Sequence, residues 1–581
     1  MVEGEAESIP GPAEASIERN ALLNATKHDG RADPGAVIGK VLGEFPELRS
    51  RAPDVARAVR EAVTRVNSLP PSEQLSLLEQ KYGGPTEHSR QGKETGRVGL
   101  PPLPNAIRGR TAFRLPPEPS GFMHIGHAMA FTVNYLYKVK YEGELWLRFE
   151  DTNPKKATKR YYESFRRGIR WLGIEYDHEK NVSEDLEQIY SFGERLLKEG
   201  KAYACSCAQE KVKKLRFEGT PCEHRENSTD ANLRVWDGLL SKKFKEGTHV
   251  IRLRGDMGSL DYSIRDPNIF RVIEHDHPVT GSKYSLWPTY DLANAVEDEM
   301  CGITHILRSS EFHTTLQQLI RESLSFRKVE VIQFSRYNFK GTPVHKRLLR
   351  PLVEEGLVQG WDDPRMPTVE GIRRRGIIPE AIRQFTLQVA YTKAEHEYDW
   401  SLLFAVNRKL LDPISRRIFF VPDPVRLTVE GAPRERNSVT IPFHPEKDLG
   451  ERTIPVGDEF YIARGDLESL EESKLFRLMD LYNLKLLEKD TGGARAAYAG
   501  DELIQETRKL QWVTRDSRPV KVLVPGILFD DAGNFDPGSL GEVQGTAEAS
   551  FSDQPLGEIV QFPRFGFCRL DSPGTVVLAH K

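Results

Sequence analysis

The stretch Arg114–His127 (RLPPEPSGFMHIGH) constrains the fold more than any other part of the chain. A short β-prone run, Thr111–Leu115, ends in a turn rich in Pro and Gly, and a helical pattern follows from about His127 to Lys140. Glu144–Phe149 (ELWLRF) reads as a second strand, and Pro154–Leu172 as a helix with basic and aromatic residues interleaved. Strand, turn, helix and strand in that order predict a parallel βαβ unit, hence an α/β nucleotide-binding layer. At the turn, the helix start offers N–H groups and a positive dipole end to a phosphate. Gly126 lets a nucleotide approach the backbone, and His124 and His127 can donate hydrogen bonds to charge developing on a phosphoryl oxygen. Two histidines at a helix start can also merely cap or pack, so the string alone does not decide.

The chain is too long for one core: at roughly 100–200 residues per domain, about three to five domains are expected. Asp54–Asn67 places Val55, Val59, Val63 and Val66 at helical spacing, and Ser72–Tyr82 repeats the pattern with Ser72 as expected N-cap. Residues 83–105 read as a linker. From about 420 the texture becomes short β-prone runs between Gly/Pro turns (Val425–Val429, Ser438–Pro442, Glu459–Ala463, Val520–Val524, Glu558–Phe562), which predicts antiparallel barrels. Lys+Arg (82) and Asp+Glu (85) nearly cancel, which excludes a histone-like chain but allows a local basic face. Pro154–Arg170 and Arg373–Arg375 are such basic runs, suited to phosphate contacts. No apolar run is long enough to span a membrane, and the acidic first thirty residues lack a signal core, so a cytoplasmic protein without a membrane partner is expected. Three of the five cysteines lie between 205 and 222, which points to a reducing compartment and a metal site. Cys205, Cys207, Cys222 and His224 supply four ligands, the number tetrahedral Zn²⁺ takes.

Three segments carry a family resemblance: Arg114–Ala128, Leu147–Pro154 (LRFEDTNP) and Trp287–Phe312 (WPTYDLANAVEDEMCGITHILRSSEF). In that order they resemble the blocks of class I aminoacyl-tRNA synthetases of the glutamyl/glutaminyl subgroup, archaeal type. The β-rich end, with Phe476–Asn483 and Val560–Asp571, is similar to the barrel-type anticodon-binding region of archaeal and eukaryotic members. The resemblance implies a multidomain α/β plus all-β chain. A helical N-terminal region and linker would occupy 1–100, and a Rossmann-like parallel-sheet catalytic domain would begin at 101–200. An acceptor-end-binding insertion would occupy 201–286, with the second catalytic half and a helical stem-contact region at 287–420. Antiparallel β-barrels for the anticodon would fill 421–581.

It implies ligation of L-glutamate to tRNA(Glu) through a glutamyl-adenylate, with ATP and Mg²⁺, bound tRNA being needed for activation and the chain acting as a monomer. Some family members carry a similar zinc knuckle in the insertion. Glu150 is implied as the contact for the substrate ammonium. Arg114 and Arg308 present planar forks that suit carboxylates, and Arg308 stands at the position that reads the side chain in glutamate-specific members. Tyr290 and Asn294 match pocket-lining positions; Pro117, Glu118, Gly121, His124, Gly126, His127 and Lys346 match ATP-binding ones. The mobile Lys-Ser-Lys loop of the class corresponds to Thr342–Arg347, where Lys346 and Arg347 match but His345 replaces the usual Ser. Archaeal members often charge tRNA(Gln) as well. A glutaminyl-tRNA synthetase, a tRNA-binding paralogue that does not charge, and a nucleotidyltransferase on the same fold remain the alternatives. Arg308 argues against the first, because it would leave a desolvated charge facing a neutral amide.

Overall fold

The computed structural model describes residues 11–26, 30–45, 48, 51–82, 100–312, 314–389 and 396–581. The chain divides into two compact units, Met1–Arg97 and Val98–Lys581.

In the first unit four helices, α1 (Gly11–Ala25), α2 (Pro34–Glu44), α3 (Ala52–Asn67) and α4 (Pro71–Tyr82), share one apolar core. The valine spacing of α3 is met: Val55, Val59, Val63 and Val66 are all buried. Asp33 caps α2 by accepting from the Ala36 N–H at 2.7 Å. Helix α4 begins at Pro71, so Ser72, the expected N-cap, lies in its first turn. Of the expected linker, 83–99 lies outside the described residues, and 100–105 carries no helix or strand.

The second unit opens with the expected βαβ. Strand β1 (Ala112–Leu115), helix α5 (Ile125–Tyr141) and β2 (Glu144–Phe149) are followed by α6 (Lys159–Trp171) and β3 (His178–Asn181). β2 pairs in parallel with both β1 and β3. The chain then leaves the sheet for an inserted antiparallel layer, β4 (Ala202–Cys205), β5 (Val250–Leu253), β6 (Asn268–Val272) and β7 (Leu286–Pro288), with its own core around Trp236, Ile251, Phe270 and Trp287. It returns through α7 (Tyr290–Met300) to β8 (His305–Ser309), α8 (Thr314–Ser323) and β9 (Glu330–Phe334), the last two strands again parallel. The Thr304 N–H donates to the Ala112 carbonyl at 3.1 Å, so β8 runs beside β1. A crossover helix between parallel strands buries one face, and α5 does so through Ala128, Met129, Val133 and Tyr137 over Phe113, Leu145 and Leu147.

Two short helices matter below, α9 (Lys346–Glu354) and α10 (Val369–Arg375). Beyond them lie two six-stranded sheets, between Phe420 and His580. Inward and outward positions alternate: Val425, Leu427 and Val429 are buried between exposed or half-buried neighbours. The pairing is mainly antiparallel, with parallel contacts such as Arg426–Glu430 against Gly493–Ala497. No helix of the described residues is long and apolar enough to cross a membrane.

Candidate active site and metal centre

A cleft of about 590 Å³ opens where β1, β2 and β8 end. Parallel sheets bind ligands outside the carboxyl ends of their strands, because the loops that diverge there leave a crevice. Arg114, Glu118, His124, Gly126, His127, Glu150, Tyr290, Arg308 and Lys346 all line it. Residues from five separate segments of the sequence are thus brought together. A smaller cavity of about 190 Å³ shares Glu118, His124, His127 and Lys346 and adds Ser120 and Gly121.

The two histidines form a reciprocal cap at the start of α5. The His127 N–H donates to His124 Nδ1 and the His124 N–H to His127 Nδ1, both at 3.4 Å, with the rings stacked 3.7 Å apart. Capping and phosphate binding are therefore not rival readings. Because each Nδ1 accepts, the proton of each neutral ring sits on Nε2, which becomes a fixed donor. Burial pushes His124 well below the usual histidine range and His127 down to about 3, and the Lys346 charge adds to both effects. Both rings are neutral at pH 7 and offer one N–H each.

Behind the cleft wall lies a buried charge network. Asp298 Oδ1 accepts from Arg114 Nε at 3.0 Å and Arg148 Nη2 at 2.8 Å, and its Oδ2 accepts from Arg321 at 2.6 Å. Burial alone would raise the Asp298 carboxyl, but Arg114, Arg148 and Arg321 overcome it and hold the group at about 2. Arg148 Nε also donates to Glu150 Oε1 at 2.8 Å, and Asn294 Nδ2 to the same oxygen at 3.2 Å. Burial still raises Glu150 above the usual carboxylate range. Four atoms of this network are buried without a hydrogen-bond partner among the described residues: Glu150 Oε2 and Arg114 Nη1, whose residues line the cleft, and Arg148 Nη1 and Arg321 Nη1, whose residues do not. A buried polar atom without a partner costs about 1–3 kcal/mol, so the two on cleft-lining residues, Glu150 Oε2 and Arg114 Nη1, are the ones a ligand in the cleft would complete.

Arg308 is 6% exposed and held by Gln317 Oε1 at 2.8 Å and Thr314 Oγ1 at 3.3 Å, while Gln317 is braced by Asp291 at 3.1 Å. The Tyr290 hydroxyl hydrogen-bonds the same guanidinium, and its ring lies 5.8 Å from that of Phe312. Burial, and then the Arg114 charge, lower the pKa of Arg308.

Lys346 opens α9 and its Nζ donates to Ser120 Oγ. Its stem lies over Gly121, where an added Cβ would come within 2.4 Å of Lys346 Cε. A side chain at 121 would therefore displace the Lys346 stem from its present place. Three implied positions fall outside both cavities. Pro117 gives its carbonyl to the Glu150 N–H at 2.9 Å, Asn294 braces Glu150 and Arg114 from behind, and Arg347 is exposed on α9. Asp298, Arg148, Arg321 and Gln317 have no sequence signal of their own.

At the end of β4, Cys205, Cys207, Cys222 and His224 point their ligating atoms at one another, all within 4.8 Å. Cys205 Sγ lies 3.9 Å from Cys222 Sγ, and His224 Nδ1 lies 4.0 Å from Cys205 Sγ and 3.3 Å from Cys207 Sγ. With Zn–S near 2.3 Å and Zn–N near 2.0 Å, a tetrahedron has edges of about 3.5–3.8 Å, so these four atoms fit a zinc ion. His224 Nε2 lies 3.1 Å from Ser206 Oγ, a bond that orients the ring.

The basic runs are less available than their sequence indicates. Arg374 forks onto Asp571 at 2.8 and 3.0 Å, and Arg375 donates to the carbonyls of Pro525 and Ala579 while stacking on Phe404. These two fasten α10 to the C-terminal sheets, which corrects the phosphate reading; Arg373 alone of the three is exposed. In the other run Lys155, Arg166 and Arg167 pair with Glu246, Glu179 and Glu370.

Residues 110–413 match the family described as tRNA synthetases class I (E and Q), catalytic domain, and residues 415–498 match the anti-codon binding domain of the same group. Among curated relatives, a glutamate--tRNA ligase of Cenarchaeum symbiosum is 40% identical over 565 residues, covering 96% of this chain and 98% of its own. One of Pyrococcus abyssi is 38% identical over 569 residues, covering 95% and 96%. A solved glutamate tRNA ligase of Elizabethkingia meningosepticum aligns with 53% of this chain and 70% of its own, at TM-score 0.39 and 19% identity. Matched along both its catalytic and its C-terminal parts, the chain belongs to the class I tRNA synthetases of the E and Q group.

Proposed function

We propose that this chain ligates L-glutamate to tRNA in two steps. The α-carboxylate oxygen of glutamate bonds to the α-phosphorus of ATP while the bond to pyrophosphate breaks. A ribose hydroxyl of the terminal adenosine of tRNA then attacks the acyl carbon and AMP leaves. No protein nucleophile is needed, so the chain contributes positioning and electrostatics. The observation that carries this reading is the pair of leftover atoms in one cleft. Glu150 Oε2 is an acceptor for an ammonium and Arg114 Nη1 a donor for a carboxylate, with the Arg308 fork opening into the same space for a second carboxylate. An amino acid with an acidic side chain carries those three charges. The Nε2–H donors of His124 and His127 face the phosphates, and Lys346 balances their charge; magnesium comes with the ATP, bound mostly through phosphate oxygens.

Pyrophosphate release in single turnover tests the reading: glutamate with ATP and tRNA should give a burst, and no release with any tRNA would end it. We further propose that tRNA(Gln) is accepted beside tRNA(Glu). Charging both transcripts with glutamate checks this, and failure on tRNA(Gln) alone marks a discriminating enzyme.

Cys205, Cys207, Cys222 and His224 would hold zinc, which would tie β4 to the one-turn helix Glu223–Glu226. The purified chain should carry about one zinc, and Cys222→Ser should lose it and lower the melting temperature, because binding energy of a structural site is folding energy. Metal analysis that finds no zinc in the unmodified chain would remove this assignment.

A further inference from the structure

The segment between β6 and β7 reaches back from the inserted layer to the end of β2 through His277. It is 3% exposed and packs on Trp287, ring centroids 5.1 Å apart. Its Nδ1 accepts from the N–H groups of Val279 and Thr280 at 3.2 and 3.3 Å, so the proton of the neutral ring is on Nε2. Nε2 lies 3.0 Å from the carbonyl oxygen of Asp151 and donates to it. Asp151 directly follows Glu150. Its carboxylate, whose Oδ2 lies 3.6 Å from the same Nε2, is held by the Ser183 N–H, the Ser183 hydroxyl and the Tyr162 hydroxyl, each at 2.8 Å. The peptide that carries Glu150 is therefore gripped at both ends: by the Pro117 carbonyl on the Glu150 N–H, and by His277 on the Asp151 carbonyl.

We propose that His277 is a positioning residue that ties the inserted layer to the amino-acid end of the cleft. It holds the Asp151 carbonyl and thereby aims the Glu150 carboxylate. A molecule that docks on the inserted layer then reaches the amino-acid pocket through this hydrogen bond. The proposal rests on the reading of Glu150 as the ammonium contact.

Two substitutions separate the two ring nitrogens. His277→Asn keeps an acceptor where Nδ1 stands, so the local turn survives, but removes the donor to Asp151. His277→Gln keeps a donor where Nε2 stands. With tRNA present, His277→Asn should raise KM for glutamate on the order of tenfold and leave KM for ATP unchanged, while His277→Gln should return it to near the unmodified value. Ser183→Ala, which loosens Asp151 without touching the inserted layer, should raise the same KM by a smaller factor, and it decides the matter if His277→Asn does not fold. Unchanged glutamate KM in His277→Asn, equal shifts for Asn and Gln, or no shift in Ser183→Ala overturns the proposal. If the unmodified chain itself shows no glutamate-dependent pyrophosphate release, it is the proposed function that fails.

Discussion

Arg308→Cys is expected to lower kcat/KM for glutamate by on the order of 10³-fold, since removing one partner of a buried charge pair costs roughly 2–5 kcal/mol. The guanidinium is already desolvated and already aimed: Gln317 and Thr314 fix two of its nitrogens, and Asp291 fixes Gln317. Little further ordering is lost when a carboxylate arrives. A cysteine leaves that carboxylate in the same dry pocket with no cation. Arg308→Lys should recover little, because an ammonium is a point donor and lacks the planar fork that bonds Gln317 and Thr314 from two separate nitrogens while facing the substrate. Glutamine, which brings no side-chain charge, should lose far less in either variant, so the preference for glutamate over glutamine narrows. Single-turnover activation with both amino acids measures it. Unchanged glutamate kinetics in Arg308→Cys would take Arg308 out of the pocket and reopen the glutaminyl reading.

What could be read in advance follows the range over which each interaction acts. The histidine pair, Gly126 and the βαβ unit are fixed by neighbours close in sequence, so the string Arg114–His127 displays them. Glu150 and Arg308 are legible because each stands at a strand end inside a recognisable block. The charge network behind them is not. Asp298 sits in Glu297–Asp298–Glu299, which on a helix resembles a solvated acidic face, yet Glu297 and Asp298 are fully buried. The reason is distant: Arg114 and Arg148 lie 184 and 150 residues away. Asn294 shows the same limit in milder form, since its block marked it as pocket lining and the fold uses it as a brace. Arg374 and Arg375 err in the opposite direction, reading as free cations because Asp571 and the carbonyls they bind belong to another sheet.

That hidden aspartate is also where the second large effect is expected. Asp298→Asn should destabilise the second unit by about 3–5 kcal/mol, the usual cost of leaving buried charges without their partner. The shape is kept, so packing is not the cause. Asparagine still accepts one hydrogen bond, but Arg114, Arg148 and Arg321 then share a buried site with Glu150, and beyond it the Lys180-paired Glu297, to oppose them. The pH dependence carries the same signature. In the unmodified chain Asp298 is held at about 2, below the roughly 3.9 of an unfolded aspartate, so its contribution is complete above that unfolded value and is lost as pH falls through about 2. The variant lacks this contribution at neutral pH and should show a shallower loss of stability between about pH 4 and 2. Function should follow stability. With Asp298 neutral, Arg148 and Arg114 draw Glu150 inward, and the oxygen that faced the cleft is spent on them. KM for glutamate should therefore rise more than KM for ATP. Thermal melting across this pH range, with glutamate kinetics at pH 7, checks both parts. A variant that melts with the unmodified chain and binds glutamate equally well would mean that the three arginines are neutralised elsewhere, and Asp298 would lose its place as the anchor of the site.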